Sequence, residues 1–291
     1  QVPGKKGSDK KHRPGVRRLS DRSEIFSYLE RERSCCAAAI AHLEPDLWAI
    51  SECFVAIHHE AFALCLISRS MSPRYIMTLG NEAALNCLLG SISLPDEAFI
   101  TCRPKHLDAI ERHYDLEWYR LMKRMVAVRE RFSPVREEAI RLRAGQVKEA
   151  NKLREDHTRM LSPRQMGKGV FYGIYRDGRL VAMAGAHLIS PTYGIAYLED
   201  VLVHPAYRNQ RLGAICAGAV AAELFDDCSE VVISVEPRDL PAVKAYAGLG
   251  FRDDCLIVEA MGRRQSFAGA LITNLWKRFK WNPIYEERTE T

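Results

Sequence analysis

The run Tyr197-Leu198-Glu199-Asp200-Val201-Leu202-Val203-His204-Pro205-Ala206-Tyr207-Arg208-Asn209-Gln210-Arg211-Leu212-Gly213 concentrates residues whose types and spacing can do chemistry. Its apolar residues alternate up to Val203, and His204-Pro205 ends that strand. From Leu212 they recur at Ile215, Cys216, Ala219, Val220 and Leu224, one face of a helix. The turn between strand and helix therefore carries free backbone N–H groups and the positive end of the helix dipole. Arg208 and Arg211 add charge of the same sign, so a pyrophosphate is the ligand it suits. Other chemistry-bearing clusters are weaker. The pair His58-His59 next to Glu60 points to opposite faces of a strand with no third ligand spaced nearby, so a turn is expected and no metal site. Gly248-Leu249-Gly250 lacks the third glycine of a dinucleotide fingerprint and reads as a helix stop.

The elements that must position the turn alternate between strand and helix. In the second half they are a short strand near Ile140-Arg141-Leu142, a helix from Gln146 to about Thr158, and a hairpin of Val170–Tyr175 and Leu180–Ile189 around Asp177-Gly178. The phosphate turn and its helix follow, then a strand at Val231–Val235, a helix at Leu240–Gly248 capped by Asp239, and a strand from Phe251. The first half reads as a helix Arg22–Leu43 and apolar runs at Leu47–Ile57, Phe62–Ile67 and Tyr75–Leu79. After these come a helix Asn81–Leu89, a strand Ala98–Cys102, a helix Lys105–Tyr114 and a strand around Tyr119–Val126. An α/β or α+β layer follows from this alternation.

With 291 residues, 47% of them hydrophobic, the chain has room for two domains. Its net charge of +5 owes much to Lys5, Lys6, Lys10, Lys11, Arg13, Arg17 and Arg18, in a stretch expected to be a disordered tail over residues 1–20. The nine cysteines show no paired spacing and read as reduced. Glu52, His58, His59 and Glu60 interrupt the apolar Leu47–Ile67 region, which argues against a membrane span and for a cytoplasmic protein. The stretch Trp276-Lys277-Arg278-Phe279-Lys280-Trp281 interleaves basic and aromatic residues, as a membrane-surface or nucleic-acid segment or a docked terminal helix would. No clear nucleic-acid site results.

Four features together resemble the GNAT superfamily of acyl-CoA-dependent N-acyltransferases: the hairpin Phe171–Ile174 with Asp177–Ala182; Val203-His204-Pro205 with Tyr207-Arg208; Gly213 as the last glycine of an R-x-x-G-x-G/A loop; and Val235–Asp239, Ala242, Tyr246 and Gly250-Phe251. Asn209 and Arg211 depart from it, standing where glycines are usual. Tyr197-Leu198-Glu199-Asp200 with Val203 more narrowly resembles the same strand of spermidine/spermine N-acetyltransferases. The first half echoes the pattern without a phosphate turn, since Leu79-Gly80-Asn81-Glu82 puts an acid at its helix start.

The resemblance implies a mixed twisted sheet flanked by helices, with a degenerate GNAT-like unit at 21–134, a catalytic unit at 135–266 and a C-terminal amphipathic segment at 267–291. It implies acetyl-CoA as co-substrate, no metal, and transfer to the primary amine of a small molecule or peptide in a ternary complex; a non-catalytic acyl-CoA sensor is the alternative, and a homodimer is allowed. Such transfer needs a deprotonated amine, a polarised carbonyl and a protonated leaving thiolate. Glu199 is then the base, placed by alternation on one face with Tyr197 and Val201. Tyr246 is the acid, its phenol near pKa 10 matching a thiolate. Val201, Leu202 and Val203 hold the pantetheine arm and polarise the carbonyl. Arg208, Asn209, Gln210, Arg211, Leu212 and Gly213 hold the pyrophosphate, with Asp239 alongside.

Overall fold

The computed structural model describes residues 15–58, 61–133, 139–154 and 160–265. Its first half runs β1 (Gly15–Leu19), α1 (Arg22–Leu29), α2 (Ala37–Ala41), α3 (Pro45–Trp48), β2 (Ser51–His58), β3 (Ala61–Ser68), β4 (Arg74–Gly80), α4 (Glu82–Ser91), β5 (Glu97–Cys102), α5 (Leu107–Glu111) and β6 (Tyr114–Val128). The second half runs β7 (Ile140–Arg141), α6 (Val147–Lys152), α7 (Pro163–Lys168), β8 (Val170–Arg176), β9 (Arg179–Ser190), β10 (Ile195–Val203), α8 (Leu212–Leu224), β11 (Glu230–Val235), α9 (Leu240–Gly248) and β12 (Arg252–Arg264).

These strands form one mixed sheet in the order β1-β2-β3-β4-β5-β12-β6-β11-β10-β9-β8-β7. The order is the same pattern from either edge, with β1 to β5 matched by β7 to β11. The last strand of each half crosses over: β6 pairs with β11 and β12, and β12 pairs with β5 and β6. In each half one pair is parallel, β4 with β5 and β10 with β11, and a helix follows each of these strands. The expected mixed sheet flanked by helices is thus present. The expected boundary at 134/135 lies outside the described residues, and the sheet continues across it.

Two cores sandwich the second half of the sheet. On one face α8 buries Ile215, Ala217 and Val220 against Ala184, Ala196 and Leu198. On the other, the small residues of α2 approach Leu188, Tyr197 and Val232. The hairpin turn has Asp177 and Gly178 both at positive φ, 49° and 72°, the backbone that tight two-residue turns demand.

Four expectations need correction. Residues 15–19 are not tail but a strand, zipped antiparallel onto β2 with Arg18 paired to Glu52, because Leu19 is buried in the core. The helix Arg22–Leu43 breaks after α1, since Arg33 reaches Glu230 and the Tyr193 carbonyl and Ser34 reaches Asp254, contacts that no local pattern encodes. Cys35 is not reduced; it bridges Cys255 across the two halves. The helix expected over Lys105–Tyr114 is shorter: α5 ends at Glu111, and Tyr114 already opens β6. Residues 1–14, the turn His59-Glu60 and the segment after 265 lie outside the described residues.

Candidate active site

β10 and β11 pair from Ile195/Glu230 to Leu198/Ile233, and there the ladder stops. On its other edge β10 loses register with β9 between Tyr197 and Glu199 and again between Glu199 and Leu202, and Asp200 sits at φ 56°. This bulge resets the alternation. Leu198 and Val201 consequently both contact the core under α8, whereas Tyr197 belongs to the opposite core. The expected common face for Tyr197, Glu199 and Val201 is therefore wrong for Val201. The splay opens a cavity of about 900 Å³, which Val201, Leu202 and Val203 line along β10. Arg208, Asn209, Arg211, Leu212 and Gly213 line it at the turn, with Asp239 and Tyr246 from the α9 side; Gln210 is not in its wall.

The turn keeps a backbone suited to glycine without having the glycines. Asn209 and Arg211 lie at φ 63° and 60°, the left-handed region that a phosphate-cradling loop uses and that costs a non-glycine residue about 1–2 kcal/mol. No side chain caps α8, so its first N–H groups point into the cavity. A Cβ on Gly213 would come within 3.2 Å of Val201 and 3.3 Å of Val203, which is how closely α8 enters over β10. The equivalent place in the first half is closed. There Asn81 accepts from the N–H groups of Ala83 and Ala84 at the start of α4, and His106 fills the β4/β5 splay, bonded to Thr78 Oγ1 at 3.1 Å and the Gly80 carbonyl at 3.0 Å.

Glu199 lies where the first cavity meets a second of about 790 Å³, built by both halves of the chain. Its Oε1 is 2.7 Å from His187 Nδ1, and its side chain is 8% exposed. The proton position follows from the far side of the ring. Ser162 and Gln165 form the capping box of α7, in which the Ser162 N–H and hydroxyl both donate to Gln165 Oε1. That fixes the amide so that its NH₂ faces His187 Nε2 at 3.3 Å, leaving Nδ1 to carry the ring proton toward Glu199. Beside them Asp200 is buried against the Arg154 guanidinium. His187, Glu199 and Asp200 bring ligand-type atoms within 4.8 Å of one another, but Arg154 already supplies positive charge at the Asp200 carboxylate.

Tyr246 on α9 is 7% exposed and packs on Phe251; burial, then the nearby Asp239, pushes its phenol up, so it stays protonated at neutral pH. Asp239 caps α9 through Ala242 N at 3.0 Å. Tyr197 is pushed up to about 12 by burial, with Arg124 stacked 4.2 Å from its ring centroid and opposing the shift. Arg124 comes from β6, the crossed strand, whose Arg120 and Met122 line the first cavity. Sequence reasoning missed His187, Gln165 and Arg154. The Ser-x-x-Gln pattern at Ser162 signals α7 and its cap, whereas nothing local singles out His187 on β9.

Residues 137–251 match the family model described as the acetyltransferase (GNAT) family. A GNAT-family protein from Novosphingobium aromaticivorans is similar at 21% identity, with 65% of this chain and 84% of that one covered and a TM-score of 0.52. A Drosophila protein of structural genomics origin gives a TM-score of 0.64 at 13% identity, covering 84% of this chain and 98% of its own. A GCN5-related N-acetyltransferase from Sphaerobacter thermophilus gives 0.51 at 14% identity, covering 88% and 98%. At these identities the likeness is one of fold. No curated protein matches the chain in sequence.

Proposed function

We propose that this chain, whose residues 137–251 are a GNAT acetyltransferase domain, is an N-acyltransferase that moves an acetyl group from acetyl-CoA to a primary amine by direct attack. The observation that carries the reading is the meeting of two cavities at Glu199, one opening onto the uncapped α8 and one lined by both halves. Acetyl-CoA supplies the acyl group already activated as a thioester. Arg208, Asn209, Arg211 and the first N–H groups of α8 hold the pyrophosphate. The backbone of Val201 to Val203, unpaired on its β11 side, binds the pantetheine arm and polarises the acyl carbonyl. Glu199, held by the ring proton of His187, takes the ammonium proton of the acceptor. Tyr246, kept protonated by burial, gives its proton to the leaving sulfur. The division of labour is part of the proposal: residues from about 139 to 260 bind CoA, and the first half shapes the acceptor side.

Binding is tested by thermal unfolding with CoA. Because the ligand binds only the folded chain, saturation at a hundred times Kd adds about 2.7 kcal/mol and raises Tm. Arg208→Glu should remove most of that shift by setting an anion against the pyrophosphate. A full shift in a folded Arg208→Glu variant removes the turn from the cofactor site.

A further inference from the structure

Away from the residues that line the two cavities, two dipeptides meet where the turn before α2 lies against β12: Ser34-Cys35 and Asp254-Cys255. Cys35 bridges Cys255, while the Ser34 hydroxyl donates to Asp254 Oδ2 and lies 3.8 Å from Cys255 Sγ. Consecutive residues of a regular strand point to opposite faces, but β12 loses register with β6 between Asp253 and Cys255. Asp254 is the residue inserted there, and the bulge turns its carboxylate to the side of Cys255. The two sulfurs and an Asp254 oxygen consequently lie within 4.8 Å of one another. Arg103 Nη1 donates to Cys35 Sγ at 2.7 Å, and Glu32 holds that guanidinium at 3.3 Å. Asp254 is exposed and Cys255 half-buried, so a small thiol or an ion reaches the cluster from solvent.

We infer that this cluster is a redox-gated zinc site: the Cys35–Cys255 bridge is its closed form, and the reduced pair binds Zn²⁺ together with the Asp254 carboxylate. Two thiolates and one carboxylate suit this borderline-soft cation, and water completes the tetrahedron. Opening consumes two molecules of a small thiol. The thiolate of the first attacks one sulfur of the bridge, giving a mixed disulfide and one cysteine thiol; the second displaces the other cysteine and leaves as the small-molecule disulfide. The two electrons and two protons that the bridge gains come from these thiols. Zn²⁺ then forms two Zn–S bonds and releases the two cysteine protons. Bonds of about 2.3 Å hold the sulfurs about 3.8 Å apart, a spread that side-chain rotation supplies between Cα atoms 6.5 Å apart. Two thiolates and a carboxylate around Zn²⁺ leave one negative charge, and the Arg103 N–H on Cys35 Sγ faces it as an outer-shell partner. Bridge and metal tie the same two elements, so the halves stay joined there in either form.

The test titrates the full chain with Co²⁺ as an optical substitute for Zn²⁺, once oxidised and once after reduction by a thiol that is then removed without air. The reduced chain should develop sulfur-to-cobalt charge-transfer absorption that saturates at one equivalent and is displaced by Zn²⁺; the oxidised chain should develop none. Cys87 apart, the other cysteines are buried, so Cys87→Ser should leave the absorption unchanged and Cys255→Ser should remove most of it. Asp254→Asn keeps both sulfurs and the bridge, and should retain the absorption while weakening Zn²⁺ binding by about tenfold or more. No absorption in the reduced chain, equal absorption in the oxidised chain, or undiminished Zn²⁺ affinity in Asp254→Asn overturns the site, and none of these outcomes bears on the acyltransferase reading.

Discussion

Tyr246 and Glu199 handle protons at opposite ends of the proposed transfer, so their loss should be told apart by pH. Tyr246→Phe keeps the ring on Phe251 and deletes one hydroxyl; it should leave the CoA-induced Tm shift intact and lower kcat by roughly one to three powers of ten. Glu199→Gln should slow the reaction most at low pH, where the acceptor is most protonated, with the loss shrinking toward the amine's own pKa. Wild-type turnover by both variants from pH 6 to 9 would make the two residues structural. A third titration acts on stability. His42 is buried, bonded to the Ala38 carbonyl at 2.7 Å and to Ser70 Oγ at 2.8 Å, and burial lowers its pKa to about 4. The unfolded chain therefore binds the extra proton between about pH 6.5 and 4, so His42 costs nothing above that window and destabilises the fold as pH falls through it, by on the order of 3 kcal/mol in full. Denaturant titrations at pH 7 and pH 4.5 should show that loss, and His42→Gln should blunt it. The places of Glu199 on a strand and of Tyr246 on a short helix were legible in the sequence; the position of His187 between Gln165 and Glu199 was not, because it joins three separate elements.

At the scale of elements, the turn between β10 and α8 was legible and its strain was not. A periodic strand, a proline stop and a periodic helix fix α8 and the turn before it, but Asn209 and Arg211 at positive φ show that the loop holds its shape against residue preference. Glycine at 211 removes a left-handed penalty of about 1–2 kcal/mol, offset in part by greater freedom of the unfolded chain, while a β-branched residue adds to the penalty. Arg211→Gly should keep or raise Tm and weaken CoA binding only by the lost charge, and Arg211→Val should lower Tm and weaken CoA binding further, read by calorimetric titration. Equal loss of affinity in both would mean that the Arg211 charge, not the loop shape, holds the pyrophosphate. The bulge at Asp200 was hidden for a related reason: nothing in Glu199-Asp200-Val201 marks an inserted residue, and only the register with β9 reveals it. The start of β2 differed too, since Leu47 and Trp48 belong to α3, opened by Pro45.

For the whole molecule, the alternation of strands and helices was enough to predict the layers but not which strand lies beside which. Strand exchange is a long-range choice, and β6 and β12 carry no local mark of it. In the folded sheet β6 has no ladder partner from its own half; its neighbours are β11 and β12. The halves are further joined by the Cys35–Cys255 bridge and by Arg33 on Glu230. A fragment of residues 15–133 made alone would leave all of β6, from Tyr114 to Val128, and the outer edge of β5 unpaired, open strand edges of the kind that drive aggregation. A fragment of residues 139–265 alone would lose the strand between β11 and β12 and, with it, Arg124 beneath Tyr197. Neither fragment should show a cooperative thermal transition by itself, and the two expressed together as separate chains should co-purify, unfold cooperatively and regain the CoA-induced Tm shift. A first-half fragment that folds cooperatively alone would show that the exchanged strand is dispensable, and one that also binds CoA as tightly as the full chain would overturn the proposed division of labour, which rests on the capping of α4 by Asn81 and the contacts of His106 with Thr78 and Gly80.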